Sequence, residues 1–381
     1  MRRVYLDHNA TSPMRPEVRE ALLEAIDSLH GNASSLHAEG RAARRLLEDA
    51  RERIAAALDA HPDEVFFTSG GTESNNTAIL GLSLRTKPPS SVTVSAVEHP
   101  SVYELAQPPG PLAERSTVIP VSAEGVVCLE RLEVLLRNRA RVVAVMHANN
   151  ETGVIQPIEE VADLCRRYGA YLHVDAVQSV GRLAFSFASI GASTASISGH
   201  KLQGPPGIGL LLIRRGTRLQ PLLFGGPQER GLRPGTEAVA LAHAMARAVE
   251  LAVAERSEQS ARLRRLRDQF ENAALSLWPP ARVNGAGAPR LPNTSNICFP
   301  GLDGQALVMA LDMEGVAAST GSACSSGAAA PSHVLLAMGL PEELARASVR
   351  FSFGPGSTDE DVQFALDRLQ SVLRRLVQSQ R

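Results

Sequence analysis

Short apolar runs, most of them rich in β-branched residues, alternate with helical patterns through the first two-thirds of the chain. The runs are VFFTS (65–69), SVTVSA (91–96), VVAVMH (142–147), YLHVDA (171–176), ASISG (195–199) and IGLLLIR (208–214). Helical patterns such as 41–58 and 158–168 lie between them. This alternation predicts an α/β fold with a mainly parallel sheet. The runs at 142–147 and 208–214 are apolar on both alternating faces, as in a sheet covered by helices on both sides. A ligand of such a sheet belongs beyond the carboxyl ends of its strands.

A long helical pattern over 236–277 carries the predicted boundary of this large domain, near residue 255. Strands at 295–299 (SNICF) and 348–353 (SVRFSF) follow, with helices at 304–314, 332–338 and 358–378. These predict a smaller α+β domain, reached through the Pro/Gly-rich connector 279–293. No internal repeat is present.

Charge and composition exclude several classes. With 39 basic against 40 acidic residues in 381, the net charge of −1 gives no general electrostatic reason for a nucleic-acid or acidic-lipid partner. No apolar run approaches the roughly 18–20 residues of a membrane helix. The N-terminus has no apolar signal core, so a cytoplasmic protein is expected. Cys128, Cys165, Cys298 and Cys324 are too few and too scattered for a disulfide scaffold or a metal site. Only Lys87 and Lys201 are lysines; all other basic residues are arginines. Chemistry needing an amine nucleophile therefore has two candidates.

Three segments carry the chemistry. In SGHKLQGPPGIG (198–209), Lys201 follows a strand and precedes a constrained Gly/Pro turn, flanked by Ser198 and His200, both able to bond a phosphate. Lys87 lies in a polar loop and reads as a surface cation. In HVDAVQS (173–179), Asp175 ends an apolar strand, where a buried carboxylate needs a positive partner such as a pyridinium nitrogen. Capping of the following helix is the other reading of that residue. In TSGGTESNN (68–76), Gly70, Gly71 and Thr72 open a helix after a strand, a setting for phosphate that is neither GxGxxG nor a Walker sequence. A plain capped helix would look the same.

Taken in order with YLDHNATSP (5–13), AVEHPSV (96–102), HANNETG (147–153), GGPQERGLRPGTE (225–237), ASTGSACSSG (318–327) and VRFSFG (349–354), these segments resemble the cysteine desulfurases of the NifS/IscS kind. Those are class V aminotransferase-like enzymes of pyridoxal-phosphate fold type I, and the similarity spans essentially the whole chain. The resemblance implies a large domain of residues 14–255, and a small domain of 1–13 plus 256–381 that carries the catalytic-cysteine loop. It implies that Lys201 holds pyridoxal 5′-phosphate (PLP) covalently and shuttles the substrate Cα proton. Asp175 would face the pyridinium nitrogen, His99 would stack on the ring, and Gln178 would bond O3′. Asn150 would contact the cofactor and the substrate carboxylate region. Gly71, Thr72, Ser198 and His200 would surround the phosphate, and Thr236 would reach it from the other subunit of a homodimer. Arg350 would grip the substrate carboxylate bidentately. Cys324, in a run of small residues on a pliable loop, would accept sulfur as a thiolate and pass it to an acceptor protein such as an iron–sulfur scaffold.

Two positions depart from the family's pattern: Pro206 stands where a second lysine is frequent and Ala33 where proline is common. The chain also closes soon after the 358–378 helix, where housekeeping members extend into a scaffold-binding tail. The acceptor is therefore left open. Selenocysteine lyase-like activity and a plain class V aminotransferase are the alternatives within the resemblance, and a non-enzymatic sulfur-relay adaptor is the alternative outside it.

Overall fold

The computed structural model describes residues 2–321 and 330–379. Its main sheet has seven strands, in spatial order Val65–Thr68, Gly209–Ile213, Thr194–Ser198, Tyr171–Asp175, Val142–Met146, Val92–Ser95 and Ser116–Ile119. Only Gly209–Ile213 runs antiparallel to its neighbours; the other pairings are parallel. The α/β class and the mainly parallel sheet read from the sequence are thus present.

Alternation along each strand sends neighbouring side chains to opposite faces. Val143, Val145, Leu210 and Leu212 join a core beneath the helices Ala38–Ala57, Ile158–Tyr168 and Val239–Ala254. Val142 and Ala144 instead pack with Ile79, Leu82, Val102 and Leu105, from the helices Gly71–Ser83 and Pro100–Ala106. This is why both faces of these runs are apolar. The strand Ser116–Ile119 was not anticipated. It is an edge strand, STVI, whose Thr117 and Val118 are exposed, so it lacks the continuous apolar run of the central strands.

The helical pattern expected as one piece over 236–277 is two helices, Val239–Ala254 and Arg256–Leu277, joined at Glu255. Arg15 forks onto the Glu255 carboxylate there, at 2.8 and 3.0 Å. A second, three-stranded antiparallel sheet is formed by Ser348–Ser352, Thr294–Cys298 and Arg282–Val283. It has its own core, in which the Phe270 ring packs on Phe351 and Phe353 at centroid distances of 4.7 and 5.7 Å. The N-terminal strand Val4–Tyr5 pairs with Val316–Ala317 beside that core.

One buried ion pair ties the helix Ala38–Ala57 to the main sheet. Glu229 sits in a short turn at φ 44° and accepts from Arg51 Nη2 at 2.8 Å, Arg51 Nη1 at 3.1 Å and the Phe67 N–H at 2.9 Å. Both side chains are under 5% exposed, so deleting one leaves a charge with no water to solvate it. Glu229→Ala is expected to lower stability by about 3–5 kcal/mol in urea denaturation. Asp359→Ala, which breaks the solvent-exposed pair with Arg265, is expected to leave the urea midpoint nearly unchanged. Equal losses in the two variants would contradict this account.

Candidate active site

A cavity of about 610 Å³ lies at the carboxyl ends of the parallel strands. Gly71, Thr72, His99, Asn150, Asp175, Gln178, Ser198, His200, Lys201 and Arg350 all line it, so ten of the twelve residues singled out in the sequence converge on one place. Thr236 does not line the cavity and is exposed. Cys324 lies outside the described residues.

Asp175 is placed by the end of the strand Tyr171–Asp175. Its Oδ1 accepts the Val177 N–H at 2.9 Å and its Oδ2 accepts Asn75 Nδ2 at 2.8 Å. Asn75 is itself fixed: its Oδ1 lies 2.9 Å from His173 Nε2, and His173 Nδ1 lies 2.9 Å from Thr194 Oγ1. Burial holds the His173 imidazole near pKa 4, so it is neutral. The amide oxygen then calls for the proton on Nε2, and Thr194 donates to Nδ1. The carboxylate thus rests on a chain of three buried side chains. Neither Asn75 nor Thr194 was singled out from the sequence; a polar residue on a strand or helix face signals nothing until its partner 100 positions away is known.

Lys201 ends the short turn Gly199–Lys201 that follows the strand Thr194–Ser198. Its Nζ donates to the carbonyl of Asn9 at 2.6 Å and to that of Ala10. Burial, and then the positive charges of Arg182 and Arg350, bring the amine down from 10.5 to about 7, against the pull of Asp7 and Asp175. A good fraction is therefore neutral, and nucleophilic, at physiological pH.

His99 caps the helix Pro100–Ala106: its Nδ1 accepts the Ser101 N–H at 3.1 Å and lies 2.8 Å from Ser101 Oγ. Burial lowers its pKa, helped by Lys201 and His333 and opposed by Asp175. His200 is lowered to about 4 by burial and by Lys201.

Arg350 is 3% exposed on the strand Ser348–Ser352. Its Nη2 pairs with Asp7 Oδ1 at 2.7 Å, its Nη1 donates to the Asn150 carbonyl at 3.0 Å, and its Nε is buried without a partner among the described residues. Asp7 and Asn9 were also missed as site residues, although both lie in a quoted N-terminal segment.

These residues fit a phosphorylated pyridine aldehyde. A neutral amine, a strand-end carboxylate and an imidazole face the same cavity. Gly71 opens the helix Gly71–Ser83 where a Cβ would stand 2.9 Å from Val177 Cγ2 and 3.7 Å from Ser198 Cβ, so a side chain there would crowd the anion-binding helix end.

Fold and site together define a PLP-dependent enzyme, and the chain belongs to the Aminotransferase class-V family, which it matches over residues 4–364. Within that family it belongs with the cysteine desulfurases. It is 44% identical over 377 residues to Cysteine desulfurase IscS of Dictyoglomus turgidum, covering 98% of this chain and 95% of that one. A solved NifS-like protein superposes with a TM-score of 0.90 at 34% identity, over 98% of this chain and all of that one. The structure of SspA in complex with cysteine has a TM-score of 0.79 at 31% identity, over 93% of this chain and 100% of that one.

The Lys201 amine sets a pH dependence of the cofactor-free protein. Unfolded, it holds its proton to about 10.5, whereas folded it releases it near 7. Between those values the unfolded state binds more protons, so stability rises with pH; below 7 the full penalty of burying the cation applies. The urea midpoint of the cofactor-free protein is expected to climb from pH 7 to 10 relative to Lys201→Met. The two profiles should run parallel below pH 7. A pH-independent difference between them would refute the assignment.

Proposed function

We propose that this site converts L-cysteine to L-alanine and hands the sulfur to an acceptor protein through Cys324, each residue acting in the role its motif implies. The observation that carries this reading is the meeting of an amine lowered to about 7, a braced carboxylate and a buried arginine in one cavity. PLP, when bound, supplies an electron sink that acidifies the substrate Cα and weakens the bond to its sulfur.

Lys201 would hold the cofactor through its amine, and that same amine, when free, is placed to take the substrate Cα proton and return it. Asp175 holds a proton on the pyridine nitrogen. Gly71, Thr72, Ser198 and His200 receive the phosphate, joined by Thr236 from the partner subunit of a homodimer; the exposure of Thr236 in the single chain supports that reading. Gln178 donates to the ring oxygen, and His99 covers the ring face and relays protons to the sulfur groups. Arg350 and the Asn150 region receive the substrate carboxylate. The Cys324 thiolate attacks the substrate sulfur: an S–S bond forms, the C–S bond breaks and its electron pair stays with the three-carbon fragment, which is protonated to alanine. The resulting persulfide gives its outer sulfur to an acceptor for iron–sulfur or other sulfur-containing cofactors. The division into residues 14–255 and 1–13 plus 256–381 is supported by the separate core around Phe270. The cytoplasm is its proposed location.

Lys201→Ala is expected to abolish the visible absorbance of the lysine-bound cofactor and all alanine formation. Cys324→Ala is expected to bind PLP and L-cysteine as the native enzyme does, yet yield no protein persulfide by mass spectrometry. Unchanged persulfide or sulfide release from that variant would move sulfur acceptance to another residue. Arg350→Ala, losing a bidentate charge-assisted pair of about 3 kcal/mol, is expected to raise KM for L-cysteine about 100-fold in steady-state alanine assays.

A further inference from the structure

Arg182, half-buried, lies just beyond the residues assigned above and has no carboxylate partner among the described residues. Its Nη1 donates to the backbone carbonyl of Gln178 at 2.9 Å and to Gln178 Oε1. The other edge of the same carboxamide, Nε2, donates to the Asn9 carbonyl at 3.0 Å. That carbonyl is also an acceptor for Lys201 Nζ. A guanidinium can only donate and a backbone carbonyl can only accept, so the two neighbours fix which end of the amide is oxygen and which is nitrogen. One Nε2 hydrogen is left for the large cavity, which Gln178 lines. The reversed amide would set oxygen against the Asn9 carbonyl and present a lone pair where an anionic ring oxygen is to bind. On the far side of Lys201, a small cavity of about 60 Å³ is lined by both Lys201 and Arg182.

We propose that Arg182 is a positioning residue of the cofactor site: its guanidinium locks the Gln178 carboxamide with an N–H directed to the cavity, and its charge stands behind the Lys201 amine. The proposal deepens the PLP reading and rests on it for the role of Gln178. The charged and titratable groups facing Lys201 are Arg182, Arg350, Asp7, Asp175, His99 and His200, with His8, Arg15 and Glu255 on the small cavity that Lys201 also lines. Of the charges, Arg182 acts most strongly to lower the amine. Removing it leaves the two aspartates opposed by Arg350 alone, so the amine should hold its proton to higher pH.

Because Lys87 and Lys201 are the only lysines, the amine can be read directly. The cofactor-free full chain is labelled with acetic anhydride across a pH series, and the two lysine peptides are quantified by mass spectrometry, Lys87 serving as reference. In Arg182→Met the Lys201 labelling midpoint is expected to rise by about one pH unit while that of Lys87 stays put. In parallel, Arg182→Met and Gln178→Ala are each expected to weaken PLP binding about tenfold, and the double variant little further, because one acts through the other. An unmoved midpoint in Arg182→Met, or losses that simply add, would overturn the proposal. If Arg182→Met does not fold, Arg182→Gln, which also removes the charge, decides: a Lys201 midpoint raised by about one pH unit supports the proposal, and a native midpoint overturns it. Failure of the native protein to bind PLP would instead sink the cofactor reading, while the labelling result would stand.

Discussion

Positive charge buried in excess is the constraint around which this site is built. Lys201, Arg182 and Arg350 approach one another in a region where Asp7 and Asp175 are the carboxylates that act on the Lys201 amine. Such an arrangement is expensive in an empty protein, and the chain lowers the expense by letting the one group that can release a proton do so. On the proposed reading, the phosphate of PLP and the carboxylate of an amino acid would supply the missing negative charge. The ligands are therefore part of the folding balance, and cofactor binding stabilises the native state by mass action as well as enabling chemistry.

The sheet makes this cluster possible. Parallel strands end together, so Asp175 and the turn bearing Lys201 emerge side by side from neighbouring strands, with His173 paired to Thr194 and Asp175 to Ser196. The helix Gly71–Ser83 presents its N-terminus to the same rim and sends Asn75 down to brace Asp175. Arg350 comes from the second sheet, and Asp7 is carried to it by the N-terminal segment, which bridges to Ser352. Precision at the site comes from side chains that hold other side chains in place, as Asn75 and His173 do for Asp175.

The parts of this that the sequence made legible are those written in local pattern. Apolar runs announce the central strands because both faces are buried, whereas Ser116–Ile119, half solvated at the edge, has no such run. Lys201 stood out because lysine is so rare here, and Asp175 because a carboxylate closing an apolar strand needs a reason. What stayed hidden depends on pairs that only folding creates: Asp7 meets Arg350 across 343 positions, and Asn75 meets Asp175 across 100. Arg182 is the same case in a subtler form, since it lies four residues from Gln178 but its meaning depends on the carbonyl of Asn9.

Sorting of the carboxyl groups completes the electrostatics. Glu98 is adjacent to His99 in sequence, yet burial raises it to about 8, despite Ser95 Oγ and the Met146 N–H bonding its Oε1. Its Oε2 is buried with no partner among the described residues. Glu151, beneath Ser332, is also raised by burial. Asp175 has an N–H on each oxygen, from Val177 and Asn75. Two carboxyl groups are thus discouraged from ionising by the lack of solvation, while Asp175, proposed to face the pyridine nitrogen, receives fixed amide N–H groups instead.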